Sequence, residues 1–447
     1  MIDDLKVRGY FKDLYPSNRP YTRGEIAASL LVIEKEISLG IRSPLPSEKW
    51  RLDWLGEEFK EEISWLAPDF YSDLKEFSKI WGLSEYINIL DERKHSSTPG
   101  KERLKSSWND MMHLGMLIEE DFRDVKEKSA SRVRLRTKGG ISVGKSIYIY
   151  NSMRVDQNLA DDPYYKGRIA GSLGAFTEQA YLNYSSKYMK VKIGRDFIRW
   201  GPGKNGTLLI SDNSRPLDHF SFGFQVGFFR FTSIIASLDP LDYSVEGEGI
   251  LPDGRILTAN RFLTAHRADF KFMGKLFVGI SETALYGGVN RNFELPYLNP
   301  FIFLHGVQLN DEGRAANTLG SVDISFYPLP GYYFYIELMI DDIQLEKETP
   351  GDLEPNEIGV MIGTRLADPF GLEKADLNFE YARLTNRTYK TPTPYELFVH
   401  RNRPIGYYLG SDLDHTWLSF SYLLNRSLLF STDFSYTRKG EGEIFVP

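Results

Sequence analysis

The chain has 447 residues, no cysteine and a formal net charge of −7. This length suits one large barrel with an accessory domain, or two domains, and a chain without cysteine forms neither disulfides nor thiolate metal sites. Because an acidic chain is a poor match for a nucleic-acid backbone, we expect no nucleic-acid partner.

Aromatic residues are frequent and make up 14% of the chain. This content is typical of the aromatic girdles of membrane barrels, although a tyrosine-rich soluble β-protein would also fit. No apolar run is long enough for a transmembrane helix, whereas barrel strands need only about 9–11 alternating residues. Residues 1–6 lack the apolar core of a signal peptide, so we expect that a leader has been removed, and the ending Phe445-Val446-Pro447 suggests missing final strands.

A helical region is predicted before residue 130. Thr22 and Glu25 have the spacing of a capping box, and Ser47 is a candidate cap for a second helix. A third helix is predicted from Asp69 and a fourth over 111–125, with a polar loop at 93–106 between them. The apolar stripes of the first, second and fourth helices are Ile26, Leu30, Ile33 and Ile37; Leu52, Leu55, Phe59, Ile63 and Leu66; and Met111, Leu114, Ile118, Phe122 and Val125. We assign residues 1–129 to this helical region.

From about residue 130 the hydrophobic period changes from 3.6 to 2, which predicts strands over residues 130–447. The clearest strands are 266–272, 332–341, 375–381 and 428–436. Short turns alternate with long polar loops at 201–218, 240–256, 288–317, 344–356 and 388–413, a pattern typical of outer-membrane barrels, although a soluble sandwich also alternates. In a barrel the residues expected to face the lumen are Glu337, Asp376, Asn378, Glu380 and Asp433.

One stretch, from Gly194 to Pro216, stands out for its chemistry. Trp200-Gly201-Pro202-Gly203 predicts a rigid turn beside an aromatic ring, and a polar loop follows it. The stretch fits a structured hairpin loop. It also carries what a carbohydrate site needs, namely an aromatic face, planar polar side chains and backbone that can be approached at glycines.

Three stretches resemble the capsule assembly Wzi family. The first comprises Arg195, Trp200 to Gly203, Gly206 to Leu209 and Ser211 to Pro216. The second is Leu298-Asn299-Pro300, followed by Asn317, Asp323, Glu337 and Asp341-Asp342. The third runs from Arg403 to Asp414, where Tyr407 replaces a usual histidine and Ser411 a usual proline.

This resemblance implies a fold that is mainly β, a transmembrane antiparallel β-barrel of about eighteen strands with an α-helical N-terminal element on its periplasmic side. It implies a non-enzymatic, lectin-like protein of the outer membrane of a Gram-negative-type bacterium. Its partners would be capsular or other surface polysaccharide and outer-membrane lipid, and we expect a monomer.

The candidate site residues have two possible roles, which do not exclude each other. As sugar contacts we expect Trp200, Lys204, Asn205, Asp212, Asn213 and Arg215, with Arg403, Tyr407, Tyr408 and Asp412 from the third stretch. Alternatively, an ion-pair network of Arg195, Arg199 and Asp212 would fasten the loop as a plug inside the barrel.

Enzymatic and metal-dependent functions have weaker support. The seven histidines show no metal-binding spacing and no catalytic motif occurs, so we expect no metal and no cofactor. The carboxylate pairs Asp161-Asp162, Asp341-Asp342 and Asp412 with Asp414 fit solvated charges, a glycosidase cleft or, for the last pair, calcium. The alternatives to polysaccharide binding are a solute-conducting porin or sugar channel and a soluble polysaccharide-processing enzyme.

Overall fold

The computed structural model of the chain describes residues 1–60, 62–63, 112–125, 128–143, 146–159, 162, 165, 167–243, 257–310, 316–342, 356–425 and 428–444. The third predicted helix, the loop at 93–106 and most of the loops at 240–256 and 344–356 lie outside these ranges. Within the described ranges, no helix is long and apolar enough to cross a membrane.

Among the described residues of the N-terminal region, three helices occur, over Ile2–Val7, Arg23–Ser38 and Pro46–Glu58. The capping box is confirmed: the Thr22 hydroxyl accepts from the Glu25 N–H at 3.2 Å, and the Glu25 carboxylate accepts from the Thr22 N–H at 2.8 Å. The expected apolar faces pack together through Ile26, Leu30, Ile33, Leu52, Leu55 and Phe59. The prediction that Ser47 caps the second helix is wrong, because that helix already begins at Pro46 and the Glu48 carboxylate accepts from the Leu45 N–H.

The predicted fourth helix is also wrong. Met112–Val125 is a strand, and it pairs antiparallel with Lys128–Val143 along its whole length. The helical spacing of apolar residues there was misleading because pairing with a neighbouring strand overrides a local pattern. The sheet therefore begins at residue 112 rather than near residue 130.

Long antiparallel strands follow one another around a single sheet. They are Met112–Val125, Lys128–Val143, Ile147–Asp156, Leu173–Ser185, Met189–Asp196, Leu217–Val226, Phe229–Ser237, Leu257–Phe272, Leu276–Val289, Asn317–Phe326, Tyr332–Asp342, Glu357–Ala367, Ala375–Leu384, Leu413–Asn425 and Leu428–Lys439. Each pairs with the next, and the short strands Ile169–Ala170 and Leu241–Tyr243 pair beside them. No described pairing joins the first of these strands to the last, so the barrel is not closed at that seam.

The sheet curls around one interior. Residues from strands all along it, including Ile234, Leu285, Tyr333, Met361 and Leu413, converge on a single buried cluster. The predicted alternation holds, because Tyr332, Phe334, Ile336 and Leu338 are exposed outside whereas Tyr333, Tyr335, Glu337 and Met339 are buried inside. Asp376, Asn378 and Glu380 are buried as expected for the lumen face. Asp433 shares that face by its register with Ser419 and Asn378 but is exposed.

The helical region docks at the short-turn end of the barrel. The buried Arg8 guanidinium pairs with Asp368 at 3.1 Å and Asp376 at 3.0 Å, beside the turn before strand Ala375–Leu384. The Gly331 N–H donates to the Val7 carbonyl at 2.8 Å, and the Tyr15 hydroxyl donates to the Phe228 carbonyl at 3.2 Å. Three separate turns are thus tied to the same N-terminal segment.

One of the predicted long polar loops differs from the expectation. Residues 290–310 contain helices over Leu295–Leu298 and Leu304–Asn310 and carry buried apolar side chains. Asparagine and arginine residues at its start gave this segment its polar character, but its later part is largely apolar.

Candidate functional site

The Gly194–Pro216 stretch leaves the wall and runs into the lumen. Arg199–Trp200 pairs antiparallel with Asn18–Arg19 of the N-terminal segment, and the Gly201 N–H donates to the Ser17 carbonyl at 2.9 Å. Asn18 in turn donates to the wall carboxylate of Asp269 at 2.8 Å. The loop and the helical region are therefore joined to each other inside the barrel.

Two buried glutamates of the wall hold the loop by its backbone. The Glu337 carboxylate accepts from the Leu208 N–H at 3.0 Å and the Leu209 N–H at 3.3 Å. The Glu380 carboxylate accepts from the Asn205 N–H at 2.9 Å, from the Lys204 N–H and from the Tyr335 hydroxyl at 2.6 Å. Each of these carboxyl groups holds two backbone N–H groups of the loop, so the two glutamates act as two clamps on it.

The rigid turn predicted at Trp200 to Gly203 requires glycine at position 201. Gly201 has a φ of +130°, and a Cβ there would lie 2.7 Å from the Glu337 carboxylate and 2.8 Å from Thr207. Any other residue would be strained and would push against the first clamp.

The loop at 385–412 packs against the first loop. The Ser211 N–H donates to the Ile405 carbonyl at 2.7 Å, and the Asn213 amide donates to the Pro404 carbonyl at 3.2 Å. Both loops share one apolar core, which includes Trp200, Leu208, Ile210, Phe398, Ile405 and Tyr407. The first and third stretches that motivated the family resemblance thus form one body, which we call the lumen plug (residues 199–216 and 398–412).

Tyr407 and Ser411 are the positions where this chain departs from the family pattern, and both are buried in the plug. The Tyr407 hydroxyl lies 2.6 Å from Nδ1 of His415, so an imidazole is still present at this point although it comes from another position. Burial raises the pKa of the Tyr407 hydroxyl, which keeps it neutral in the plug.

Trp200 and Tyr407 offer no ring face to a ligand, because each is only 1% exposed. Tyr408 is half-buried and accepts a hydrogen bond from the Asn205 amide at 3.0 Å. Of the three aromatic candidates, Tyr408 is therefore the one whose ring reaches solvent.

The charged residues among the site candidates lie in different parts of the structure. Arg199 pairs with Asp212 at 2.9 Å, as the predicted plug network requires, but Arg195 pairs instead with Asp218 at 2.6 Å. Arg199 and Asp212 line a cavity of about 540 Å³ that they share with Trp54 and Phe59 of the helical region. They therefore face the helices.

Arg215 and Arg403 meet near the long loops. The Arg215 guanidinium lies 2.5 Å from the Asp162 carboxylate, and that of Arg403 lies 3.8 Å from the same carboxylate. The Arg215 guanidinium also lies over the ring of Phe176, at 5.2 Å from its centroid. Because two arginines share one acidic partner here, this end of the plug carries a local excess of positive charge.

Among the described residues, the pairs Asp341-Asp342 and Asp412 with Asp414 do not assemble a second site, and Asp161 of the third pair lies outside the described ranges. Asp341 and Asp342 are neighbours in a strand and point to opposite faces of the sheet. Asp412 accepts from the Gly442 N–H at 2.8 Å, whereas Asp414 pairs with Arg438 at 2.8 Å. No group of three or more potential metal ligands occurs in the part of the chain that the structure describes.

Glu337 and Glu380 were not among the predicted site residues. The sequence indicated that both are acidic residues on the lumen face of an alternating strand, and that Glu337 belongs to the second stretch of the family resemblance. Their partners are backbone groups more than a hundred residues away, which no side-chain pattern reveals.

Comparisons with known proteins bear on the family and the fold of the chain. The family model for the capsule assembly protein Wzi matches residues 101–447. The structure of Wzi from Escherichia coli, described as an outer-membrane, carbohydrate-binding β-barrel involved in group 1 capsule assembly, matches with a TM-score of 0.56 and 14% identity, over 98% of this chain and 84% of that one. A mutant porin from Rh. blastica matches with a TM-score of 0.36 and 8% identity, over 73% of this chain and 94% of the porin. No significant match was found among curated proteins.

Proposed function

The chain belongs to the capsule assembly Wzi family, and from this premise we propose that it is an outer-membrane barrel that binds capsular or related surface polysaccharide without catalysis. The helical region lies on the periplasmic side, beneath the short turns, and the long loops face the cell exterior. The outward apolar side chains contact membrane lipid, and the protein acts as a monomer.

The observation that carries this proposal is the lumen plug. Glu337 and Glu380, which lie two strands apart on the same side of the inner wall, hold its first segment, and residues 17–19 bind it from below. A conducting channel needs an open path, whereas this plug places hydrogen-bonded backbone and packed aromatic side chains inside the lumen. Binding at the outer surface of the plug is therefore favoured over the porin alternative.

The plug residues divide by their accessibility. Buried Trp200 and Tyr407 hold the two loops together. Polar groups that reach solvent are suited to sugar hydroxyls and carboxylates, and these are Lys204, Asn205, Asn213, Arg215, Arg403 and Tyr408. We assign the sugar contact to Arg215, Arg403 and Asn213, which lie together by the long loops.

Binding of purified protein to capsular polysaccharide tests this assignment. The Arg215→Ala/Arg403→Ala double variant should bind at least ten-fold more weakly, because losing charge-assisted hydrogen bonds costs about 1.5–3 kcal/mol each. A matched control is Arg383→Ala/Arg438→Ala, which removes two exposed arginines beside Asp414. Unchanged binding by the first variant would contradict the assignment, and new reducing ends in the polysaccharide would favour the enzymatic alternative.

A further inference from the structure

The segment of residues 291–310, which we call the lateral arm, lies on the outside of the barrel wall. In the strand Leu257–Phe272, Arg267 points into the lumen, where it pairs with Asp323 at 2.8 Å. Successive residues of a strand point to opposite faces, so the adjacent His266 points outward. The lateral arm contacts this outward face, because the Leu304 N–H donates to Glu282, the partner of His266, at 3.0 Å.

The lateral arm covers a polar patch in the wall. His266 and Glu282 form a pair at 3.1 Å, and each lies six residues from the turn end of its strand. A membrane-spanning strand has about 9–11 residues, so this pair sits at mid-depth, where the neighbouring wall is apolar. Without the arm, an ionisable pair would face hydrocarbon.

The arm is attached by packed rings as well as by this hydrogen bond. Tyr297 stacks on the outward ring of Tyr286, with centroids 4.2 Å apart, and Phe301 stacks on the outward ring of Phe231 at 5.8 Å. Tyr297, Leu304 and Val307 form a buried cluster with Phe262 and Tyr286 of the wall.

The backbone of the arm is compatible with an apolar environment. Irregular backbone is tolerated at membrane depth only where its polar groups are satisfied within the protein. The N–H groups of Leu298, Asn299, Phe301, Ile302, Leu304 and Gly306 all donate to acceptors in the arm or on Glu282. Pro296 and Pro300 interrupt this run and have no N–H to satisfy.

The outer surface of the arm carries large exposed apolar side chains beside the exposed polar residues Asn292, Asn299, His305 and Asn310. Leu295 is 81% exposed, Phe301 72% and Phe303 65%. These side chains continue the exposed apolar band of the adjacent wall, which includes Ile280, Val322 and Ile324. A cluster of this kind on a water-facing surface would favour association or aggregation.

We propose that the lateral arm lies between the barrel wall and the bilayer, with Leu295, Phe301 and Phe303 in contact with the acyl chains of the membrane. The arm shields the His266–Glu282 pair and presents Leu295, Phe301 and Phe303 to the bilayer in its place. This inference rests on the membrane location in the proposed function, but it does not depend on polysaccharide binding.

Nitroxide accessibility in reconstituted full-length protein tests the proposal. The chain has no cysteine, so Phe303→Cys gives a single labelling site. Val322→Cys on the bare wall is the lipid control, and Met273→Cys in a short turn is the aqueous control. For each variant, boiled and unboiled gel mobility reports folding, and relaxation by oxygen and by a water-soluble nickel chelate reports the surroundings of the label.

We expect the label at 303 to match the label at 322, with oxygen the stronger relaxant. Preference for the nickel chelate at 303 but not at 322 would overturn the arm's placement and leave the barrel in the membrane. Low access to both reagents at 303 would mean a protein partner, such as a second copy, and would also overturn the proposal. Preference for the nickel chelate at 322 would remove the membrane location itself.

Discussion

Removing one clamp should open the barrel. Glu380→Ala deprives three donors, the N–H groups of Lys204 and Asn205 and the hydroxyl of Tyr335, of their acceptor. A buried donor left without a partner costs about 1–3 kcal/mol, and two of the three donors belong to the plug, so the plug should lose roughly 2–6 kcal/mol of its attachment. Residues 203–206, which Glu380 holds, should therefore detach from the wall, whereas Glu337 still holds the N–H groups of Leu208 and Leu209.

Single-channel conductance in planar bilayers measures this directly. We expect the unmodified protein to be almost non-conducting and Glu380→Ala to show stable open currents. Asp433→Ala is the matched control, because it removes an acidic residue from the same face of the sheet at an exposed position. A folded, heat-modifiable Glu380→Ala variant with currents no larger than those of the control would refute the role of the clamp.

Three further predictions concern the docking of the helices, the turn and the long-loop end. Arg8→Ala removes the shared partner of the ion pairs with Asp368 and Asp376, which costs about 3–5 kcal/mol. Protease should therefore cleave residues 1–60 faster in the variant while the barrel keeps its gel mobility. Equal cleavage rates in the variant and the unmodified protein would contradict the docking. Gly201→Ala forces an alanine to φ +130° beside Glu337, so amide exchange should quicken at 204–209, and unchanged exchange would argue against a strained turn. Burial raises the pKa of Glu396 to about 7, so between pH 4.5 and 7 the unfolded loop loses a proton that the folded loop keeps. The stability of the folded loop therefore falls as pH rises through this range, and proteolysis of residues 385–412 should become faster. Glu396→Gln should flatten this pH dependence, and an unchanged dependence in the variant would show that another group causes it.

Local and periodic features of this chain could be predicted from its sequence. The capping box at Thr22 depends on two residues three positions apart, and the faces of strand 332–341 depend on simple alternation. Both features are present in the structure because the tertiary packing is compatible with them. The same logic failed at 112–125, where apolar residues have a helical spacing but the segment is held as a strand by the strand that follows it in the hairpin.

Non-local contacts set the rest of the site. Sequence indicates that Trp200 belongs to an unusual loop, but only the position of the 398–412 segment shows that its ring is buried. The clamps Glu337 and Glu380 recognise backbone groups, so the residues they hold leave no complementary side-chain signal. The lateral arm could not be predicted either, because the spacing of its apolar residues is typical of neither a strand nor a long helix. Their role becomes clear only from the polar patch of the wall that the arm covers.

Capsule retention on cells tests the central claim most directly. Cells that lack the native gene would carry either the unmodified gene, Arg215→Ala/Arg403→Ala or the control Arg383→Ala/Arg438→Ala, and cell-bound and released polysaccharide would be measured at equal surface levels of protein. We expect the first double variant to release most of its polysaccharide while the control retains it. Equal retention by all three would contradict polysaccharide binding at the outer surface of the plug.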